Sequence, residues 1–238
     1  MLLWMLAVAC GYFVKGVTGF ANTLVVTSIM AFSASNLQIS PVELLLSAPT
    51  NLLMAWRSRR EINWRLTLPP LLMVLAGDVA GVLLLRTVDA AAVKMIFGAA
   101  MIVLGAEMLW REKRGRGDGR ANPVLLTVLG TAAGVLSGLF GVGALLAAYF
   151  TRVTRTDGEF KGSMCFVFAA ENLFRIAAYM ISGVLTMTAA AQALQLAPFM
   201  ALGLWAGIRL SGRMDARLVR RAVIVMVMIS GAALLLAG

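Results

Sequence analysis

The chain contains no histidine. That removes imidazole-based zinc sites, Ser-His-Asp catalysis and histidine proton relays. Cysteine occurs twice, as Cys10 and Cys165, both inside apolar stretches. Neither a disulfide framework nor a Cys-x-x-Cys site can be built from them. No G-x-x-x-x-G-K-[ST] segment occurs, so the chain does not hydrolyse ATP through a P-loop. Charge is scarce as well. Asp, Glu, Lys and Arg make up 13% of the residues, and apolar residues 61%. Soluble domains run at about 25% charged and about 45–50% apolar. A water-soluble globular enzyme, a disordered chain and a nucleic-acid-binding domain are therefore excluded, and no cofactor site is expected.

What remains is a series of long apolar blocks. A bilayer crossing takes about 20 helical residues, so the chain has room for roughly six to eight crossings and almost no extramembrane domain. The blocks run over 2–32, 41–56, 66–85, 90–110, 123–150, 162–181, 189–210 and 222–236. The net charge of +10 sits mostly in the links between them. Basic links are the mark of cytoplasmic loops in a membrane protein. The most charged stretch, Arg111–Arg120, is also rich in glycine and reads as a flexible loop. Met1–Ala9 before Cys10 has the outline of a lipoprotein signal but lacks the basic start of one, so no cleavage is expected.

The second half of the chain repeats the order of the first. A shift of 126 places Gly77 and Gly81 on Gly203 and Gly207, Asp89-Ala90 on Asp215-Ala216, and Gly105-Ala106 on Gly231-Ala232. A shift of 122 places Gly16 and Gly19 on Gly138 and Gly141, and a shift of 121 places Asn51-Leu52 on Asn172-Leu173. Preserved order with nearly equal shifts points to duplication, a common build of secondary transporters. The expected organisation is a first membrane repeat over 1–110, a basic cytoplasmic linker over 111–122 and a second repeat over 123–238.

Charge sets the topology. Links 57–65, 111–120, 151–161 and 211–221 are basic and belong inside, and links 33–40 and 182–188 carry no charge and belong outside. The assignments agree only if block 123–150 crosses an even number of times, which its length forbids for two full spans. It fits a re-entrant hairpin of two half-helices around Gly138–Gly143, matched by block 2–32 around Gly16–Gly19. The expected fold is thus an all-α polytopic membrane protein of two inverted repeats. Each repeat is a re-entrant or broken glycine-rich helix plus three transmembrane helices, giving eight apolar segments. The simpler arrangement, eight plain spans with glycines at helix contacts, leaves basic links on the wrong side.

Gly16-Val17-Thr18-Gly19-Phe20, the run Gly134–Gly143, Asn51-Leu52-Leu53 with the following Arg59–Arg65, and Asn172-Leu173-Phe174-Arg175 together resemble the TauE/SafE sulfite exporter family, the sulfonate uptake permease group. The resemblance spans essentially the whole chain. It departs where Ala144-Leu145 follow Gly143 in place of further small residues, and where Ala21 replaces a common glycine. The resemblance implies a multi-pass transporter of small sulfur-containing anions, sulfite or organosulfonates, in a bacterial cytoplasmic (inner) membrane.

A small oxyanion in a membrane needs N–H donors and positive potential, which helix N-termini supply. Glycines let it approach the backbone. The breaks Gly16–Gly19 and Gly138–Gly143 are the expected cradle, with half-helices starting near Thr18–Thr23 and Gly141–Ala144. Candidate substrate-binding residues are Lys15, Gly16, Thr18, Gly19, Asn22, Asn51, Ser137, Gly138, Gly141, Gly143, Asn172 and Arg175. Lys15 and Arg175 are included because charge inside an apolar block is costly and marks function by default. A snorkelling lysine and a neutralising ion pair are the bland readings of the same residues. Glu171 lies four residues before Arg175, on one helix face. Substrate competing with Glu171 for Arg175 would couple a proton to the anion. Asp78, mid-span between Gly77 and Gly81, is expected to be protonated or paired and is the second proton-coupling candidate.

A secondary transporter with proton coupling is the leading expectation, its partners being a small anionic substrate, protons and the lipid bilayer, with a homodimer left open and nucleic acid excluded. An anion channel, an intramembrane enzyme and a membrane scaffold are the alternatives. The missing histidines and scarce carboxylates speak against the enzyme.

Overall fold

Polar punctuation in the apolar blocks sets the helix boundaries. The computed structural model describes residues 1–30, 33–87, 144–154 and 156–211, residues 131, 134 and 135, and scattered residues between 95 and 110 and between 218 and 235. Every element of regular structure among them is helical. The linker 111–122 lies outside the described residues.

Helix α1, Leu2–Thr18, stops at Gly19, whose left-handed backbone (φ 87°, ψ −7°) ends the helix. A left-handed cap of this kind is a glycine position because a Cβ would clash there. Helix α2, Asn22–Met30, follows at once. The break expected around Gly16–Gly19 therefore falls at Gly19–Ala21, with Gly16 inside α1.

Helix α3 covers Asn36–Arg57, starting ahead of Pro41, where the apolar block begins. The cause is a cap: the Gln38 side chain accepts the Ser35 backbone N–H at 3.1 Å, half of a capping box. A 3-10 turn, Arg59–Glu61, and helix α4, Trp64–Thr87, come next. Helix α5 is Ala144–Val153. Helix α6, Asp157–Ile181, starts ahead of the apolar block at Gly162, because the Thr156 hydroxyl accepts the Glu159 N–H at 3.1 Å. Helix α7, Met187–Leu210, is capped likewise by Thr186, which accepts the Ala189 N–H at 3.2 Å. Pro69, Pro70 and Pro198 lie inside α4 and α7. Internal prolines remove a backbone bond each and are tolerated more readily in membrane helices.

The chain divides into two compact units, and each draws on both halves of the sequence. One unit comprises Met1–Leu46, Val88–Leu109 and Val184–Gly238, the other Ser47–Thr87 and Trp110–Gly183.

In the first unit, α7 packs along α1 and α2 folds back on α1. Both contacts depend on missing side chains. A Cβ at Gly11 would lie 2.9 Å from Asn22 O, and one at Gly16 would lie 2.7 Å from both Ile208 N and Leu204 O. Gly203 and Gly207 of α7 press against the backbones of Ala9 and Phe13. This small-xxx-small crossing is how membrane helices approach closely. Around it, Val8, Tyr12, Val42 and Leu46 meet Ala189, Ala193, Leu196 and Leu204.

In the second unit, α4 and α5 pack on α6. A Cβ at Gly77 would lie 2.6 Å from Thr131 O and 2.9 Å from Gly134 Cα. The Thr67 and Ser163 hydroxyls bond at 2.9 Å, and Trp64 meets Phe166 edge-on at 4.9 Å.

Two of these helices, over Gly158–Ile181 and Met187–Leu210, are long and apolar enough to cross a bilayer. Leu194, Leu202, Trp205 and Ile208 form an exposed apolar face on α7, opposite the buried Ala193, Leu196, Gly203 and Gly207. Such a face is stable against lipid rather than water.

Candidate functional site

Two clusters of buried polar side chains stand out, one in each unit. The first lies at the break between α1 and α2. Thr18 donates its hydroxyl to Val14 O (2.9 Å) or Phe20 O (2.8 Å), and the Gly19 N–H donates to Lys15 O at 2.7 Å. Ala21 then takes a positive φ of 73°. A non-glycine residue there costs about 1–2 kcal/mol, so surrounding structure must hold it.

Lys15 lies in the last turn of α1, where the helix dipole favours a cation. It is 1% exposed, with its ammonium 5.5 Å from the centroid of the Tyr12 ring. Glu43 of α3 faces the same place and interacts electrostatically with Lys15. Its Oε1 accepts from Asn22 Nδ2, from the Thr23 hydroxyl at 3.2 Å and from the Tyr12 hydroxyl at 3.4 Å. Gly16 faces α7 instead, and its missing Cβ serves the helix crossing.

The second cluster joins α4 and α6. Asp78, Glu171 and Arg175 are all buried, as is Tyr179. Arg175 Nη2 donates to the Tyr179 hydroxyl at 2.8 Å, and Nη1 lies 3.8 Å from Glu171 Oε1. The latter is a charge contact beyond hydrogen-bond length. The guanidinium also sits 5.1 Å from the Tyr179 ring centroid. Asp78 interacts electrostatically with both Glu171 and Arg175, and neither of its oxygens has a hydrogen-bond partner among the described residues. Beside this group, Asn172 Nδ2 donates to Ser47 Oγ at 3.1 Å. Asn51 is buried on the same helix as Ser47.

The sequence candidates thus sort into two groups. Lys15, Thr18, Gly19 and Asn22 gather at the first break, and Asp78, Glu171, Asn172 and Arg175 gather in the second unit. Ser137, Gly138, Gly141 and Gly143 lie outside the described residues. Sequence reasoning missed Glu43, Tyr12 and Tyr179. The signal for Glu43 was available, since it is a lone acid in the apolar run Pro41–Leu46, subject to the same rule that singled out Asp78. Tyr179 lies one turn beyond Arg175, within reach on the same face.

Among the described residues, no group of three or more acidic or cysteine side chains could hold a metal ion. The arrangement offers buried cations, hydroxyl and amide donors, and carboxyl groups able to take up protons. The family model described as sulfite exporter TauE/SafE matches residues 3–234. No curated protein and no solved structure matches the chain. The chain belongs to the TauE/SafE family.

Proposed function

We propose that this member of the TauE/SafE membrane transporter family is a secondary transporter that carries a small sulfur-containing anion, sulfite or an organosulfonate, across a bacterial cytoplasmic membrane with proton coupling. The observation that carries this reading is the buried group of Asp78, Glu171 and Arg175, two carboxyl groups sharing one guanidinium. A buried site of that composition balances its charge when one acid holds a proton. Arg175 offers a sulfonate or sulfite the same planar fork it offers a carboxylate. An arriving anion displaces Glu171 from Arg175, and Glu171 then takes the proton. Asp78 is the second acceptor. Anion and proton thereby occupy the site together. The break at Thr18–Asn22, with Lys15 beside it, offers a small anion a cation and the N-terminus of α2.

The inverted-repeat organisation, with repeats over 1–110 and 123–238 joined by the linker 111–122, belongs to this reading. One feature supports it: under the shift of 126, Gly77 and Gly203 coincide, and each lies at a helix crossing too tight for a Cβ.

A flux screen in proteoliposomes tests the function. Sulfite or an organosulfonate is expected to show saturable flux accelerated by a pH gradient, with simple carboxylates transported more slowly. Flux linear in concentration makes the protein a channel instead, and equal rates for carboxylates remove the sulfur specificity. In the same assay Lys15→Gln is expected to raise the KM about 10- to 100-fold, the worth of one charged hydrogen bond. An unchanged KM assigns Lys15 to packing alone.

A further inference from the structure

Glu43 is absent from the mechanism above, yet it occupies the place where an anion would bind. Asn22 and Thr23 are the first residues of α2, a helix of nine residues. The backbone N–H groups of a first helical turn have no intrahelical acceptor, and the helix dipole is positive there. The Glu43 carboxylate lies at this end, its Oε1 accepting from the Asn22 amide, the Thr23 hydroxyl and the Tyr12 hydroxyl. Lys15 faces it from α1. The side chain is 2% exposed, and its second oxygen, Oε2, has no hydrogen-bond partner among the described residues. Tyr12 and Lys15 of α1 are the titratable groups that face Glu43 among those residues, and α2 contributes only the uncharged Asn22 and Thr23. From α7 the neighbours of this part of α3 are apolar: Ala189, Ala193 and Leu196.

We propose that Glu43 is a resident anion that keeps the α2 site closed to a small sulfur oxyanion until it takes up a proton. As a carboxylate, Glu43 engages the donors Tyr12, Asn22 and Thr23 and neutralises Lys15. On protonation it no longer competes for Lys15 or for the charge-assisted bonds, and a monovalent oxyanion takes its place. The exchange balances: one proton moves from solution to a Glu43 oxygen, one negative charge leaves the carboxylate, and one negative charge arrives with the anion. Release reverses both movements. Each anion bound at α2 is therefore accompanied by one proton at Glu43. This inference rests on the anion-transport reading but names a different residue, in a different unit, from the Glu171–Arg175 pair.

The test uses the full chain in detergent, with methanesulfonate and ethanesulfonate as probes, because each is a monoanion whose charge does not change around neutral pH. Sulfite, which titrates itself, serves only to score binding. In the unaltered protein, affinity is expected to weaken with rising pH by up to about tenfold per pH unit, the slope for one linked proton. The Glu171→Gln, Arg175→Gln double variant lacks the other proton-linked anion position and is expected to keep the slope that belongs to Glu43. Adding Glu43→Gln to it, neutral at every pH, is expected to flatten the profile, and a triple variant that retains the slope overturns the proposal while leaving anion transport standing. Failure of the unaltered protein to bind all three anions removes the transport reading and this inference with it. Should Glu43→Gln not fold, Thr23→Val replaces it. With one donor fewer holding the carboxylate, the affinity difference between acidic and alkaline buffer is expected to shrink, and an unchanged profile overturns the proposal.

Discussion

Replacing Arg175 with glutamine is expected to reduce transport more than about 100-fold, measured as sulfite or sulfonate flux in proteoliposomes. Removing one partner of a buried ion pair costs about 3–5 kcal/mol, because the remaining charge loses its compensation. Here two acids, Asp78 and Glu171, lose a guanidinium that interacts with both. The Tyr179 hydroxyl loses its donor at the same time. The variant can relieve the charge by protonating the acids, but it then holds no cation for an anion at this position. Arg175→Lys keeps the charge and loses the fork that binds two oxygens at once, so an intermediate loss, about tenfold, is expected. The double substitution Glu171→Gln with Arg175→Gln separates stability from function. It restores a balanced interior and is expected to recover folded protein, scored by size-exclusion profile, without recovering flux. Arg175→Gln protein that folds and transports within a few-fold of the original would falsify the assignment of Arg175 to the anion.

The second large effect belongs to packing. Gly207→Leu is expected to abolish folded protein in the membrane fraction. A Cβ at Gly207 meets the Phe13 carbonyl oxygen, and one at Gly203 meets Ala9 O. These neighbours are backbone atoms of α1, which cannot rotate away as a side chain can. The helices must separate, and the buried Val8, Tyr12 and Leu204 between them lose contact. Overpacking alone costs about 1–3 kcal/mol, and more where the backbone has to move. Gly207→Ala adds the Cβ alone, and a fall in Tm of several degrees is expected, at about 2–4 °C per kcal/mol for a chain of this size. Gly183 is the control. It has φ +70° with nothing within 4 Å of an added Cβ, so Asn, which tolerates the left-handed region, should be accepted there. A normal yield of Gly207→Leu would show that α1 and α7 do not cross at these residues.

The helix break was legible because its cause is local. Gly19 ends α1 where the glycine-rich stretch predicts, and Asn22 opens α2. Ala21 was not legible as a left-handed residue, since nothing in an alanine signals positive φ. The start of α3 at Asn36 turned on one side chain, Gln38, reaching back to Ser35. A scan for charge and hydropathy passes over such a cap. The Glu171–Arg175 pair followed from helical spacing, but its joining to Asp78 did not, because α4 and α6 meet through the tertiary fold. Nor did the period of the repeat say that α1 would pack on α7. The Gly203–Gly207 pair announced a close crossing and left its partner helix unnamed.

The interleaving of the two units sets a timetable for synthesis. Ser47–Thr87 and Trp110–Gly183 lie within the sequence of the unit that begins at Met1, and that unit is finished only by Val184–Gly238. Ala9 must wait for Gly203, about 190 residues later, to find its neighbour. At roughly 5–20 residues per second this delay lasts on the order of 10–40 s. The inner unit can close while the ribosome is still at work. Meanwhile the nascent α1 carries a bare glycine seam without the helix that will cover it. The insertion machinery, or lipid at the interface, must shelter α1 over that interval.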